Sequence, residues 1–147
     1  MKLTLPLHTF NNRFWPVLLL AGLVVLFFWD SFFAGKALFI RDMFFDGFRW
    51  RQFATEAFWD GAIPLWNPRS NYGQPFVANP QSAVFYPLHW IFFLFPPVFA
   101  LKLSLAIHLF IAAVSMYGLM RHWRVNPEPA LLSAISIVFS AYFYCAA

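Results

Sequence analysis

Two long apolar runs flank a polar, proline-rich segment, and this pattern leaves few architectures open to the chain. The first run covers residues 14–33 and the second covers residues 98–120. A helix needs about 20 apolar residues to cross the hydrocarbon core of a bilayer, so each run is long enough. A third run covers residues 130–147. We therefore predict an all-α membrane protein, with a single membrane domain over residues 1–147.

The composition agrees with this prediction and excludes other classes of protein. The chain is 61% hydrophobic and only 11% charged, whereas a soluble domain is about 45–50% apolar and about 25% charged. The ten Lys and Arg residues are scattered singly, so no nucleic-acid surface is expected. The single cysteine, Cys145, excludes a disulfide within the chain and a cysteine-based metal cluster.

Tryptophans and prolines mark the ends of the predicted helices. A tryptophan lies near each end of the first run, where indole rings favour the headgroup layer. A cleaved signal peptide would have a shorter apolar core, of about 7–15 residues, so a retained helix is favoured. Pro96 and Pro97 cannot continue a helix, so residues 88–95 are predicted to form an interfacial or re-entrant piece. Lys102, near the start of the second helix, is expected to snorkel to the membrane surface.

Basic residues predict the orientation of the helices. Lys2 and Arg13 precede the first run, and Arg121 and Arg124 follow the second. Because short loops rich in Lys and Arg mark the cytoplasmic side, we predict a cytoplasmic N-terminus and an extracytoplasmic loop at residues 34–97. The third run ends without a charge or turn signal, so we expect the N-terminal part of a larger protein or a truncated gene product.

The extracytoplasmic loop begins with a predicted amphipathic helix at residues 43–60. At 100° per residue its polar side chains fall within an arc of about 120°. This pattern predicts a helix that lies on the membrane or packs beneath other loops. In a purely structural interpretation, Asp42 is the N-cap and Asp46 pairs with Arg49. The polar positions are Asp42, Asp46, Arg49, Gln52, Glu56 and Asp60.

A catalytic interpretation of the same residues stays open. Asp42 and Asp46 are four residues apart, so they share a helix face close to the membrane surface. One carboxylate there can act as a general base toward an acceptor hydroxyl, and a pair can instead hold a divalent cation beside a phosphate. Guanidinium groups match phosphate oxygens, and the candidates are Arg41, Arg49 and Arg51.

Seven of the eleven prolines lie between Pro64 and Pro97, in a segment that also carries aromatic and amide side chains. One interpretation is a rigid loop; the other is a sugar-binding surface, with flat rings for stacking and amides for hydrogen bonds. The candidate rings are Trp66, Tyr72 and Tyr86, and the candidate amides are Asn67, Asn71, Gln74, Asn79 and Gln81.

The histidines predict no metal site. Their spacing matches no ligand motif, and they lie at His8, His89, His108 and His122. His108 falls within the second apolar run, where a polar group is costly and often functional. A structural histidine that faces a neighbouring helix is the favoured interpretation.

Short motifs in the loop carry a resemblance to a known family. After the aspartates come Pro-Leu-Trp-Asn-Pro at residues 64–68, Gly-Gln-Pro-Phe at residues 73–76, Asn-Pro-Gln at residues 79–81 and Phe-Tyr-Pro at residues 85–87. In this order they resemble the YfhO-like family of bacterial multi-spanning membrane proteins, within the GT-C class of glycosyltransferases. The resemblance covers roughly residues 18–141.

The resemblance implies a bundle of many transmembrane helices in the bacterial cytoplasmic (inner) membrane. It implies transfer of a sugar from a polyprenyl-phosphate carrier to an extracytoplasmic acceptor, with a lipid-linked sugar donor and membrane lipids as partners. The family's catalytic base corresponds to Asp42, with Asp46 as the second candidate. The chain departs from the family because it stops early in the third helix, so alone it is expected to be inactive. The alternative is a non-catalytic membrane scaffold whose loop binds a lipid head group, a glycan or a partner.

The two hypotheses make opposite predictions for Asp42→Asn. In a glycosyltransferase, this change in the complete protein abolishes sugar transfer and leaves membrane insertion intact, because an amide cannot accept the proton of the acceptor hydroxyl. In a scaffold the change is tolerated, and Trp66→Ala or Tyr86→Ala weakens association instead. Transfer of a labelled sugar in isolated membranes is the measurement, and normal transfer by the variant contradicts the enzyme hypothesis.

Overall fold

The computed structural model describes residues 14–33, 47–70 and 72–140 of the chain. These residues are mostly helical, which confirms the prediction of a predominantly helical chain. The helices are α1 (Trp15–Phe27), α2 (Trp29–Phe33), α3 (Phe48–Trp59), α4 (Ile91–Leu94), α5 (Pro97–His122) and α6 (Pro127–Val138). Two short strands, β1 (Trp66–Asn67) and β2 (Gln74–Pro75), and two 3₁₀ turns, Pro80–Ser82 and Pro87–Trp90, lie between α3 and α4.

Helices α1, α5 and α6 pack together through small and branched apolar side chains. Ala113 of α5 and Ala134 of α6 are fully buried in one cluster with Leu20 of α1 and Val138 of α6. Alanine lets two helix backbones approach closely. The contact between α5 and α6 is accordingly the most extensive between any two described elements.

Among the described helices, α5 is the one that is both long and apolar enough to cross a membrane. It contains 26 residues, and at 1.5 Å per residue it is about 39 Å long. Helices α1 and α6 are also apolar but shorter. Length and composition therefore allow a membrane span for α5, while the multi-helix bundle and its orientation stay predictions.

The first apolar run, expected as one helix over residues 14–33, is interrupted at Phe28. Phe28 has φ −87° and ψ 7°, in the bridge region rather than the helical region. Its ring is buried with Val24 and Ala106, and its N–H still donates to the carbonyl of Val24 at 3.0 Å. Helix α2 therefore follows α1 directly, with a change of geometry at a buried aromatic residue.

Lys102 of α5 does not extend to the surface as the sequence predicts, because its side chain packs against α2. Its side chain is only 7% exposed, and its Nζ donates to the carbonyl oxygen of Ser31 at 2.6 Å. The last four carbonyls of a helix have no partner within that helix, and Ser31 belongs to the last turn of α2. The ammonium group satisfies one of these carbonyls and joins α2 to α5.

A separate apolar core holds the segment between α3 and α4 together. Phe76 is fully buried, and it packs with Ala54 of α3 and with Val84. Its ring meets that of Phe53 edge to face, with 5.1 Å between the ring centroids. This core joins helix α3 to the residues that follow the second strand.

Strands β1 and β2 form a small antiparallel hairpin that the sequence does not predict. Trp66 pairs with Pro75, and Asn67 pairs with Gln74. The connecting turn needs left-handed backbone, with φ 60° at Tyr72 and φ 103° at Gly73. We call residues 66–75 the hairpin.

Two predicted helical pieces have different bounds in the structure. The amphipathic helix expected at residues 43–60 corresponds to α3, and residues 43–46 lie outside the described part of the chain. The candidate residues Arg41, Asp42 and Asp46 lie outside it as well. The interfacial piece expected at residues 88–95 consists of the second 3₁₀ turn followed by α4.

Replacing Gly73 by alanine should destabilise the hairpin more than the same change at Gly61. A Cβ at residue 73 would lie 2.8 Å from the Trp66 ring, and φ there is unfavourable for an L-residue. Gly61 also has positive φ, but a Cβ there meets nothing within 4 Å, so Gly61→Ala carries only the backbone cost of about 1 kcal/mol. Thermal unfolding followed by tryptophan fluorescence compares the two variants. Equal losses of stability would contradict the close packing of Trp66 on Gly73.

Candidate functional site

A cleft of about 280 Å³ lies between helix α3 and the hairpin. We call it the α3–hairpin cleft. Its lining combines two guanidinium groups, two amides, a hydroxyl and two aromatic rings, a mixture suited to a polar anionic ligand. The lining residues are Arg49, Trp50, Gln52, Phe53, Asn67, Arg69 and Ser70.

Helical periodicity gives the first wall of the cleft. Gln52 and Phe53 are three and four residues after Arg49, so the three side chains share one face of α3. Arg49 is exposed. Arg51 lies about 200° around the helix from Arg49, and it lines a different part of the structure.

The turn of the hairpin gives the second wall. The side chain of Asn67 is almost fully buried, at 3% exposure, and its Oδ1 accepts the backbone N–H of Arg69 at 2.9 Å. Such a side-chain turn holds the backbone that carries Arg69 and Ser70. The Nε2 of Gln74 donates to the Oγ of Ser70 at 3.2 Å, which fixes the hydroxyl from the second strand.

Two neighbours contact the guanidinium group of Arg69. Its Nη1 donates to Oε2 of Glu56 in an ion pair, and its Cζ lies 5.6 Å from the centroid of the Phe53 ring. Glu56 also accepts a hydrogen bond from Nε2 of Gln52 at 3.0 Å. The hydrogen bond from Arg69 is the main reason why the pKa of Glu56 lies below its usual value. Arg69 therefore reaches the cleft from a fixed position.

Two of the predicted substrate-binding residues, Arg49 and Asn67, line this cleft together. Trp66 and Gln74 lie beside it in the hairpin, where the Trp66 ring covers Gly73. The predicted role of Asn67 changes, because its carbonyl oxygen is engaged by the backbone of Arg69. Its remaining amide donor is the group that can meet a ligand.

The other predicted substrate-binding residues lie away from the cleft lining. Asn79 caps the first 3₁₀ turn, with its Oδ1 accepting the N–H of Gln81 at 3.0 Å. Tyr86 donates its hydroxyl proton to Nε2 of His108 at 2.8 Å, and Nδ1 of His108 donates to the carbonyl of Ser104 at 2.6 Å. His108 is thus fully hydrogen-bonded, as a structural histidine would be. Arg41, Asp42 and Asp46 fall in the range that the structure leaves undescribed.

The sequence pattern does not indicate a site role for Arg69, although Arg69 is one of the two arginines that line the cleft. The signal that would have found it is the turn motif Asn-Pro-Arg-Ser at residues 67–70, in which an asparagine bonds its own backbone two residues on and orients the arginine. For Gln52 the sequence predicts only a position on the polar side of the helix. Which side of α3 faces the hairpin cannot be read from periodicity.

A second polar cluster lies on the opposite side of α3. Arg51 donates from Nη1 to the carbonyl of Gly47 at 2.8 Å and from Nη2 to Nε2 of His89 at 3.3 Å, and it lies 5.5 Å from the centroid of the Phe92 ring. Burial lowers the pKa of this arginine from its ordinary value. Arg51 is therefore a partly buried residue that joins α3 to the second 3₁₀ turn, and its phosphate-binding role stays a prediction.

The imidazole of His89 is held neutral by its surroundings. Burial, and next the positive charge of Arg51, lower the pKa of His89 to about 4. Its Nδ1 donates to the carbonyl of Ala83 at 3.1 Å, which leaves Nε2 to accept from Arg51. Outside the undescribed ranges, no three His, Cys, Asp or Glu residues are grouped so that they could hold a metal ion.

No family model matches the chain, and no curated protein or solved structure matches it either. The resemblance to the YfhO-like family therefore stays a prediction, and the site has to be interpreted from its own geometry.

Stability should fall as the pH drops from about 6.5 to about 4, and His89→Gln should reduce this fall. His89 has a pKa of about 4 in the folded chain against 6.5 as its ordinary value. Between these values the unfolded chain binds more protons, so stability is complete above the window and is lost as the pH decreases through it. Glutamine keeps an acceptor for Arg51 without titrating. Urea unfolding at a series of pH values measures the slope, and equal slopes for both proteins would refute this role of His89.

Proposed function

We propose that the chain contributes the carrier-binding loop of a membrane glycosyltransferase of the GT-C class. In this function the α3–hairpin cleft holds the head group of a polyprenyl-phosphate sugar, and the sugar passes to an acceptor outside the membrane. One observation carries the proposal: Arg49 and Arg69 line the same cleft, although 20 residues separate them in the sequence.

The two arginines suit a phosphate group. Guanidinium groups present planar forks of N–H donors that match phosphate oxygens. Among the described residues Arg49 has no ion-pair partner, and its side chain is exposed. Arg69 is held by Glu56 through Nη1, which leaves its remaining donors for the cleft. A phosphate between the two would accept from both walls.

The remaining lining suits a sugar. Gln52 and Asn67 supply amide groups, and Ser70 supplies a hydroxyl; these groups exchange hydrogen bonds with sugar hydroxyls. Trp50 and Phe53 add flat apolar surfaces within the same cleft. This combination of cations, amides and rings supports a ligand that has both a phosphate and a sugar.

The candidate carboxylates precede this wall of the cleft in the sequence. Asp46 is followed directly by Gly47, and Arg49 comes two residues later. In the proposed reaction, Asp42 removes the proton of the acceptor hydroxyl, the acceptor oxygen forms a bond to the anomeric carbon, and the carrier phosphate leaves with the electron pair of the broken bond. Asp46 is the second candidate for the base.

The alternative function is binding of a glycan or a phosphorylated head group without transfer. One observation favours it: the part of the cleft lining that the structure describes contains no carboxylate and no imidazole. Binding would then rest on the described cleft alone, and Asp42 and Asp46 would serve as helix-capping residues. The two functions share the ligand and differ in the chemistry.

Arg49→Gln should weaken ligand binding about tenfold to a hundredfold, the effect of losing a charge-assisted hydrogen bond to phosphate. The probe is the farnesyl phosphodiester of glucose, and quenching of tryptophan fluorescence in detergent micelles reports its binding. Arg124→Gln is the matched control, because it removes the same charge from the exposed residues that follow α5. The proposal fails if Arg49→Gln and Arg124→Gln bind the probe equally well.

Sugar transfer then separates the two functions. The assay uses membranes that contain the protein as the cell makes it. If the protein is a glycosyltransferase, both Arg49→Gln and Asp42→Asn lose sugar transfer, while Asp42→Asn still binds the probe. A binding protein shows no transfer in any form. Transfer that persists in Arg49→Gln would exclude the cleft as the carrier site.

A further inference from the structure

Glu56 lies behind the cleft and touches two of its lining residues. It accepts hydrogen bonds from Nη1 of Arg69 and Nε2 of Gln52, but it does not line the cleft itself. A ligand in the cleft can therefore contact Arg69 and Gln52 directly. Glu56 influences such a ligand by holding these two side chains and by the electrostatic effect of its negative charge.

The charges around the cleft do not cancel. Arg49 and Arg69 contribute two positive charges and Glu56 contributes one negative charge, which leaves one net positive charge among these three residues. A ligand with a single negative charge neutralises this excess. The carboxylate of Glu56 repels each negative charge of a ligand, so it lowers the affinity for a dianion more than it lowers the affinity for a monoanion.

We propose that Glu56 is a positioning residue that tunes the charge preference of the cleft, lowering its affinity for phosphomonoester dianions more than its affinity for phosphodiester monoanions. This inference rests on the proposed function, because it assumes that the cleft binds a phosphate. Glu56 acts in two ways: it holds Arg69 at a fixed position, and it penalises excess negative charge. In a transfer reaction the same penalty would favour release of the carrier monoester after the sugar has left.

The surroundings of Glu56 keep it charged at neutral pH. The hydrogen bond from Arg69 holds the pKa of Glu56 below its usual value. The ion pair is largely solvent-exposed, with side-chain exposures of 67% for Arg69 and 41% for Glu56. Salt screens exposed charges, so the preference should weaken as ionic strength rises.

Two probes that differ by one charge and one methyl group test the proposal. Farnesyl phosphate is mainly a dianion at pH 8, and its methyl ester is a monoanion. The dissociation constants of both are measured for the wild type, Glu56→Gln and Glu56→Asp in detergent micelles at low salt. The readout is the ratio of the two constants, because this ratio cancels any effect that a variant has on both ligands equally.

Glu56→Gln should shift this ratio toward the dianion by about twofold to fivefold, the range of an exposed charge interaction. Glu56→Asp keeps the charge and should leave the ratio unchanged, even if a shorter side chain weakens both ligands. A merely structural role for Glu56 would weaken both ligands equally in Glu56→Gln and leave the ratio as in the wild type, which would overturn the inference.

The outcomes also separate this inference from the proposed function. If the wild type binds both probes and the ratio is the same in Glu56→Gln, the charge preference is wrong and the phosphate cleft stands. If the wild type binds neither probe, the phosphate cleft and the charge preference both fail. If the ratio shifts as expected at low salt and the shift disappears in 0.5 M salt, the electrostatic origin of the preference is supported, since the Debye length falls to a few ångströms as the salt approaches about 1 M.

Discussion

Packing of the Phe76 ring, which directly follows the hairpin, against helix α3 is the contact on which the candidate site depends. The ring is fully enclosed and meets Phe53 edge to face. Because α3 carries Arg49 and the hairpin carries Arg69, this apolar contact helps to hold the two walls of the cleft together. Burying such a ring contributes about 1.5–3 kcal/mol, whereas an exposed ion pair contributes about 0–1 kcal/mol. The polar groups of the cleft are thus held by a core in which they take no part.

Helix α5 joins the two halves of the described structure. Its small residues pack against α1 and α6, and its polar side chains bond to elements outside this packing. Lys102 donates to the carbonyl of Ser31 in α2, and His108 accepts from Tyr86 in the segment before α4. Polar groups in apolar surroundings are costly unless they are hydrogen-bonded. These hydrogen bonds therefore restrict how α2 and the segment that contains Tyr86 pack against α5.

The sequence predicts the helices far better than it predicts the cleft. The apolar run and the pair Pro96-Pro97 predict the bounds of α5 to within about two residues, because the length of an apolar run and the effect of proline are local properties of the sequence. The polar arc of α3 correctly put Arg49 and Gln52 on one face. The polar arc could not reveal that Arg51 packs against His89, because periodicity does not show which side of a helix contacts the rest of the protein. Arg69 was overlooked because its partners, Glu56 and Phe53, come from another element.

The amino-acid pattern is enough to predict a mostly helical chain, one apolar helix long enough to cross a membrane, and a proline-rich segment before that helix. These properties follow from hydrophobic length and from the fixed backbone of proline, which need no distant partner. Which polar residues meet follows only from the packing of the elements: Arg49 and Arg69 line one cleft, Arg51 bonds to His89 in a partly buried cluster, and Tyr86 bonds to His108 on α5. Such meetings depend on how elements pack, and packing is set by buried rings such as Phe76, whose partners are remote in the sequence.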